Sequence, residues 1–314
     1  MKKIVVIGGG TGLAVIIRGL KRLEDVKISA IVTVADDGGS TGRLRKQYNI
    51  PAMGDIRNVM VAMSESENLM ATLMDYRFIG DDEDVGGHNL GNLILTALCE
   101  STGSFMEAVQ TISKVLKVKG DIIPSSEQVI SLYAKMSDGT IVRGESNIPA
   151  FDNQIHRVFY NEEVKASKKA IKAIKSADYI IYGIGSLYTS IIPNLIIEGI
   201  KQALKVSEAK KIYICNAMSQ PGESDGYSLE DHVNALEDHS FIGAIDCVIT
   251  HNNELNKELE QRYKEKGSYQ VKAIEEHHNY QLLSFDILEQ KDNYIRHDSD
   301  KIYKIFKEIL EGEN

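Results

Sequence analysis

The residues of this chain that could do chemistry fall into six short runs. The first, Gly8-Gly9-Gly10-Thr11-Gly12, follows an apolar stretch and precedes a helical one. Glycines in such a turn let backbone N–H groups approach a phosphate at a helix N-terminus, which makes Gly9, Gly10, Thr11 and Gly12 candidate contacts. The spacing is not the dinucleotide fingerprint, whose third glycine would fall on Leu13, and no Gly-Lys-Ser/Thr makes it a Walker loop. A tight strand-to-helix turn would explain the same glycines without a ligand. The second run is Asp36-Asp37-Gly38-Gly39-Ser40-Thr41-Gly42-Arg43-Leu44-Arg45. Asp36 and Asp37 could take a ribose hydroxyl or a magnesium ion. The loop N–H groups and the Ser40 hydroxyl could reach an anion, and Arg43 and Arg45 are planar forks suited to phosphate. The competing reading is a solvated loop with charges of both signs.

Four further runs carry amides, hydroxyls and charges. In Met53-Gly54-Asp55-Ile56-Arg57-Asn58, Asp55 is a natural helix N-cap, whereas Arg57 and Asn58 fit a core poorly. Gly86-Gly87-His88-Asn89-Leu90-Gly91-Asn92 opens an apolar helix. His88, Asn89 and Asn92 could hold a phosphate or sugar there, or Asn could simply cap the helix. His88 lacks partners at metal-ligand spacing. Gly183-Ile184-Gly185-Ser186-Leu187-Tyr188-Thr189-Ser190 has the start of a nucleophile elbow, but Leu187-Tyr188 breaks the pattern. Gly185 and Ser186 therefore read as anion contacts. Last, Asn216-Ala217-Met218-Ser219-Gln220-Pro221-Gly222-Glu223-Ser224 offers Asn216, Gln220 and Glu223 for sugar or base recognition, with a plain turn as the alternative.

These runs need elements to position them. Apolar, β-branched stretches at 4–7, 28–35, 179–184, 212–215 and 247–250 predict strands. Helical patterns at 13–20, 193–204 and 229–236 lie between them. Alternation of this kind predicts an α/β fold with a mainly parallel sheet covered on both faces. The six runs then fall at strand ends or helix starts, the edge at which open α/β sheets bind ligands. One segment breaks the rhythm: 129–136 and 140–145 flank Ser137-Asp138-Gly139, which predicts a β-hairpin insertion around 129–146. Ile302, Ile305, Phe306 and Ile309 predict a final helix, capped by Asp298 or Ser299.

Composition narrows the function classes. With 314 residues and 43% hydrophobic content, the chain can bury a large core and is not disordered. A net charge of -9 speaks against a broad nucleic-acid surface. No window approaches the ~18 apolar residues of a membrane span, and the start lacks the features of a signal peptide; a cytoplasmic location is expected. Cys99, Cys215 and Cys247 are too sparse for a disulfide framework or a zinc site and read as buried thiols.

Taken together, Gly8 to Gly12, Val34 to Ser40, Gly54 to Asn58, Gly87 to Asn92, Gly185 to Ser190 and Asn216 to Glu223 resemble the signature segments of the gluconeogenesis factor family. The resemblance runs from about residue 3 to 310 and includes a wider superfamily with 2-phospho-L-lactate transferase. Ile184 stands where proline is usual, and Ser219 and Ser224 where threonine is usual. The resemblance implies one Rossmann-like three-layer α/β/α sandwich domain over residues 1–314. It implies a cytoplasmic bacterial factor needed for cell shape and for growth on gluconeogenic carbon sources, which binds UDP-sugars such as UDP-GlcNAc and has no established reaction. It also implies that Tyr263 and Arg296 touch the UDP-sugar, and, from the transferase relatives, that Asp36 and Asp37 face an acceptor and a divalent metal. Arg296 near a helix start is electrostatically misplaced, which itself suggests an anionic partner.

Three functions follow as expectations. One is a regulatory UDP-sugar-binding protein acting through cell-wall synthesis or regulatory partners. The second is a magnesium-dependent transferase acting on an activated nucleotide. The third, a dinucleotide-dependent redox enzyme, is disfavoured by the missing third glycine, although NAD could occupy the same site. A homo-oligomer is compatible with all three.

Overall fold

In the computed structural model, which describes residues 1–65, 67–80, 85–291 and 293–312, the chain opens with a βαβ unit. This consists of β1 (Lys2–Gly8), α1 (Gly10–Leu20) and β2 (Val26–Val32), with the strands parallel. Five helices follow: α2 (Gly39–Tyr48), α3 (Gly54–Met63), α4 (Glu67–Met74), α5 (Leu90–Thr102) and α6 (Phe105–Val115). Then come β3 (Asp121–Pro124), β4 (Leu132–Met136), β5 (Ile141–Arg143), β6 (Ile155–Tyr160), α7 (Lys168–Lys175) and β7 (Tyr179–Tyr182). A π-helical turn (Leu187–Ile191) leads into α8 (Ile192–Leu195) and α9 (Glu198–Lys205). The chain continues through β8 (Lys210–Ile214), α10 (Leu229–His239), β9 (Cys247–His251), α11 (Lys257–Lys264) and β10 (Gln281–Phe285). It ends with the ribbon β11 (Leu288–Lys291) and β12 (Tyr294–His297), and α12 (Ser299–Glu311).

Seven strands form one sheet in the order β10-β9-β8-β7-β1-β2-β3, and its pairings are parallel. From β1 the chain runs outward to β3, then returns to β7 and runs the other way. The β1/β7 junction is therefore the switch point of a doubly wound, Rossmann-like α/β sheet. Central strands buried on both faces must be apolar throughout. Ile4, Val6, Ile7, Ile180, Ile181, Ile212, Val248 and Ile249 meet that need and are buried. On one side α1 and α12 approach so closely that a Cβ on Gly19 would lie 2.7 Å from the Ser299 carbonyl oxygen.

The structure refines the expected elements. The second strand ends at Val32, and residues 33–35 continue as buried loop toward Asp36. The helix expected over 193–204 is two, broken between Leu195 and Glu198, with Pro193 in the first turn of α8. The hairpin forms as β4 and β5, but β6 pairs with β4 on its other side and makes a three-stranded antiparallel sheet. β6 escaped notice because its burial does not alternate cleanly. Asp298 caps α12, accepting from the Asp300 and Lys301 N–H groups. Cys99, Cys215 and Cys247 are buried and unpaired. Among the described residues, no helix is long and apolar enough to cross a membrane.

Candidate functional site

The loops after β1 and β7 meet at the switch point. A Cβ on Gly12 would lie 2.2 Å from the Ile184 carbonyl oxygen, so only glycine admits this contact. A Cβ on Gly9 would lie 2.4 Å from Asp55 Oδ2 and 2.6 Å from Thr33 Cγ2. Gly10 has φ +63°, a left-handed conformation that glycine adopts without strain. Thr11 is exposed at the first turn of α1, where N–H groups have no acceptor within the helix.

Asp55 is not the N-cap of α3. That position belongs to Met53, and Asp55 lies in the first turn. Its carboxylate reaches across to accept the Gly10 N–H, the place a phosphate would take in a glycine loop. Burial, and then the neighbouring Asp36, push its pKa up to about 7. Asp36 accepts the Gly38 N–H at 2.9 Å and a hydrogen bond from Thr41, and burial raises its pKa too. Gly54 leaves it room, since a Cβ there would lie 2.8 Å from Asp36 Oδ2.

Asp37 points elsewhere. It accepts the N–H and hydroxyl of Ser146 at 3.0 and 2.8 Å, tying the end of the antiparallel insertion to the loop. That tie delivers Glu145, a residue the motif reading missed. Burial and the charges of Asp36, Asp55, Glu223 and Asp37 push Glu145 up to about 8. Only its place in Gly144-Glu145-Ser146-Asn147, at the exit of the hairpin, could have flagged it.

Ser40 is a hub. Its hydroxyl accepts from the Asn89 N–H at 3.3 Å and Asn92 Nδ2 at 3.1 Å, and lies 2.9 Å from His88 Nδ1. Asn89 also donates to the Asp75 carbonyl and supplies no side-chain cap to α5. Arg57 pairs with Asp75 at 2.9 Å and donates to Met74 O and Asn58 Oδ1, so both Arg57 and Asn58 are engaged within the protein. Arg45, expected to present a fork to phosphate, is corrected. It is buried and donates to the carbonyls of Ala35, Asp36 and Ile130. Arg43 donates to the Gly86 carbonyl at 2.7 Å. With Lys46, Arg77 and Asp37 it lines a cleft of ≈ 550 Å³ whose other walls are glycine backbone and Ser40.

On the β7/β8 side the loops are laced together. Asn216 bonds Gly185 reciprocally, accepting its N–H at 3.3 Å and donating to its carbonyl at 2.8 Å. Ser186 donates to Gln220, and Gln220 to Glu223. Glu223 accepts the Tyr188 N–H at 3.0 Å and the Thr189 hydroxyl at 2.8 Å, capping the π-helical turn. Ser219 bonds Ser268 and Tyr269 just beyond α11, which brings α11 against this loop. Tyr263 on α11 accepts the Ile295 N–H at 3.0 Å. The next residue is Arg296, exposed, with its guanidinium 4.7 Å from the Tyr294 ring centre. Tyr263 thus holds the β12 backbone one residue before Arg296.

All six runs therefore form one contact chain, from His88 and Ser40 to Asp36, through Gly54, Asp55 and Gly9 to Gly12, Gly185, Asn216 and Glu223. Among the described residues, no three His, Cys, Asp or Glu side chains are grouped to hold a metal. Magnesium is commonly held by one or two carboxylates plus substrate phosphates. Asp36 fits that pattern, with Asp55 and Glu145 in electrostatic reach, whereas Asp37 is committed to Ser146.

The family described as 2-phospho-L-lactate transferase CofD matches residues 4–289. The gluconeogenesis factor of Halalkalibacterium halodurans is 44% identical, over 99% of this chain and 96% of its own length. That of Bacillus subtilis is also 44% identical, over 98% of each. A crystal structure of a UPF0052 family member from Bacillus halodurans superposes with TM-score 0.92 at 43% identity, covering 97% of this chain and 99% of that one.

Proposed function

The chain belongs to the 2-phospho-L-lactate transferase CofD family and is 44% identical to two gluconeogenesis factors, and from that premise we propose that it is a regulatory nucleotide-sugar-binding protein. The ligand class is a UDP-activated amino sugar such as UDP-GlcNAc. The observation that carries this reading is the contact of the two glycine loops at the switch point, with amide side chains on one flank and the cationic cleft on the other. In it, the pyrophosphate lies along the Gly9–Gly12 turn, within reach of Arg43. Asn216 and Gln220 offer amides to the base or sugar, and Arg296 beside Tyr263 meets the second anionic end. Such a ligand displaces the Asp55 carboxylate from the Gly10 N–H or requires its protonation, so occupancy of the loop acts on the first turn of α3. Passing that change to cell-wall synthesis or regulatory partners is the output that fits a role in cell shape and gluconeogenic growth.

A second reading is favoured by one observation, the crowding of Asp36, Asp55, Glu145 and Glu223. These carboxylates are not grouped as a metal site on their own, but magnesium held by Asp36 together with substrate phosphates would supply Lewis-acid chemistry for transfer of a phosphoryl-linked group. In that case Arg43 neutralises phosphate charge and Glu145 holds a proton near the acceptor. Calorimetric titration with UDP-GlcNAc, NAD and GDP, alongside a magnesium turnover assay, separates the readings. Tight UDP-GlcNAc binding without turnover, weakened about tenfold or more in Arg296→Ala, is expected. Consumption of the nucleotide, lost in Asp36→Asn, would replace the regulatory reading with the transferase. Unchanged affinity in Arg296→Ala would remove that residue from the site.

A further inference from the structure

A groove of ≈ 610 Å³ lies at the opposite end of the sheet from the switch point. Its floor is the first half of β1, β2 and β3. In the parallel register Lys3 sits beside Lys27, and Val5, Ser29 and Asp121 form the next row on that face. Ile123 follows one row deeper. One bank is α6 and its exit, with Lys114 and Lys117; the other is α7, with Lys169 and Lys172. Six lysines from distant parts of a chain of net charge -9 thus ring one groove.

Three features set this groove apart from ordinary surface charge. Among the described residues only Lys27 of the six has a carboxylate at ion-pair distance, Asp121 at 3.0 Å. Ser29 is 8% exposed in an inner parallel strand, and no hydrogen bond forms at its hydroxyl among the described residues. That hydroxyl opens onto the groove, where a ligand can bond it. Finally, a helix C-terminus attracts cations, which accounts for Lys114 and Lys117 at the end of α6. It does not account for Lys169, which stands in the first turn of α7, where a cation is unfavourable and where no acidic residue offsets it.

We propose that this groove binds an organic polyphosphate of nucleotide size, with its ring on the Val5 and Ile123 floor and its phosphates between the lysine banks. Its volume falls within the roughly 300–1,000 Å³ of small-molecule pockets. Ser29 and Gln110 supply the hydroxyl and amide that orient the ring or ribose. The site is independent of the switch-point ligand and does not rest on its identity.

The test is calorimetry of the full chain in EDTA with ATP, inorganic tripolyphosphate and adenosine as probes. ATP is expected to bind, tripolyphosphate more weakly, and adenosine hardly at all, with affinity falling as salt is raised. In Lys114→Gln/Lys172→Gln, exposed positions that leave the fold intact, ATP affinity drops about tenfold or more. Ser29→Val, which fills the floor without removing a charge, also weakens ATP while UDP-GlcNAc titration is unchanged. Undiminished ATP binding in both variants would place ATP at the switch point and overturn the proposal. Absence of ATP binding to the unaltered protein would overturn it too, as would capture of an acidic peptide in preference to ATP. Tripolyphosphate binding as tightly as ATP would overturn the nucleotide form.

Discussion

The two ends of the same seven-stranded sheet are built in opposite ways. At the switch-point end the chain spends glycines, amides and acids, laced by hydrogen bonds: Asn216 with Gly185, Glu223 with Tyr188 and Thr189, Ser40 with His88 and Asn92, while Arg45 Nε, Arg57 Nε and Asn92 Oδ1 are buried without a partner among the described residues. At the other end it spends lysines, and most stand without a carboxylate partner. The first end is acidic at its centre and sensitive to proton uptake. The second is cationic and open. The difference teaches that one parallel sheet in a chain of net charge -9 can carry an acidic end lined by glycine backbone and a second end lined by lysines.

Three variants break or sharpen that contrast. The largest effect is expected from Gly12→Ala. The new methyl would collide with the Ile184 carbonyl, a backbone atom that cannot rotate away, so the two loops must part. A loss of about 3 kcal/mol in a denaturant melt is expected, with loss of ligand binding at the switch point. A melt within error of the unaltered protein would show that the loops are not rigidly opposed. Asp55→Asn comes next and acts through pH. The raised Asp55 pKa means that the folded chain holds a proton which the unfolded chain releases above about pH 4. Stability from this group is therefore lost as pH rises through about 7. Asparagine removes that loss, so the variant should gain about 1–2 kcal/mol over the parent at pH 8 and little at pH 5. An advantage that shrinks with rising pH would refute the protonated Asp55. The smallest effect is expected for Lys114→Gln/Lys172→Gln, whose thermal melt should stay within about 0.5 kcal/mol of the parent. A large drop would mean that those lysines support the fold rather than await a ligand.

Much of this was legible in the sequence, and the reasons differ from part to part. The central strands were plain because a strand buried on both faces must be a continuous apolar run, as in Ile4 to Ile7. β10, with its half-exposed pattern, and the short β3 and β11–β12 ribbon carry no such signal. The glycine runs were legible because close backbone contact admits no other residue. Arg45 and Arg57 were misjudged in environment, since a guanidinium can satisfy itself on carbonyls inside the protein as readily as on a phosphate. Glu145 was invisible because the tie that brings it in, Asp37 to Ser146, spans 109 residues. The lysine groove escaped for the same reason: Lys3, Lys27, Lys114 and Lys172 form no motif until the sheet brings them together.

The packing of α12 on α1 at Gly19 has a consequence for how the protein is made. β1 lies mid-sheet between β2 and β7, and the outer cover of α1 is the last helix of the chain. Translation therefore delivers the central strand β1 and helix α1 long before α12. Until α12 is made, the side of α1 that it covers waits in the open.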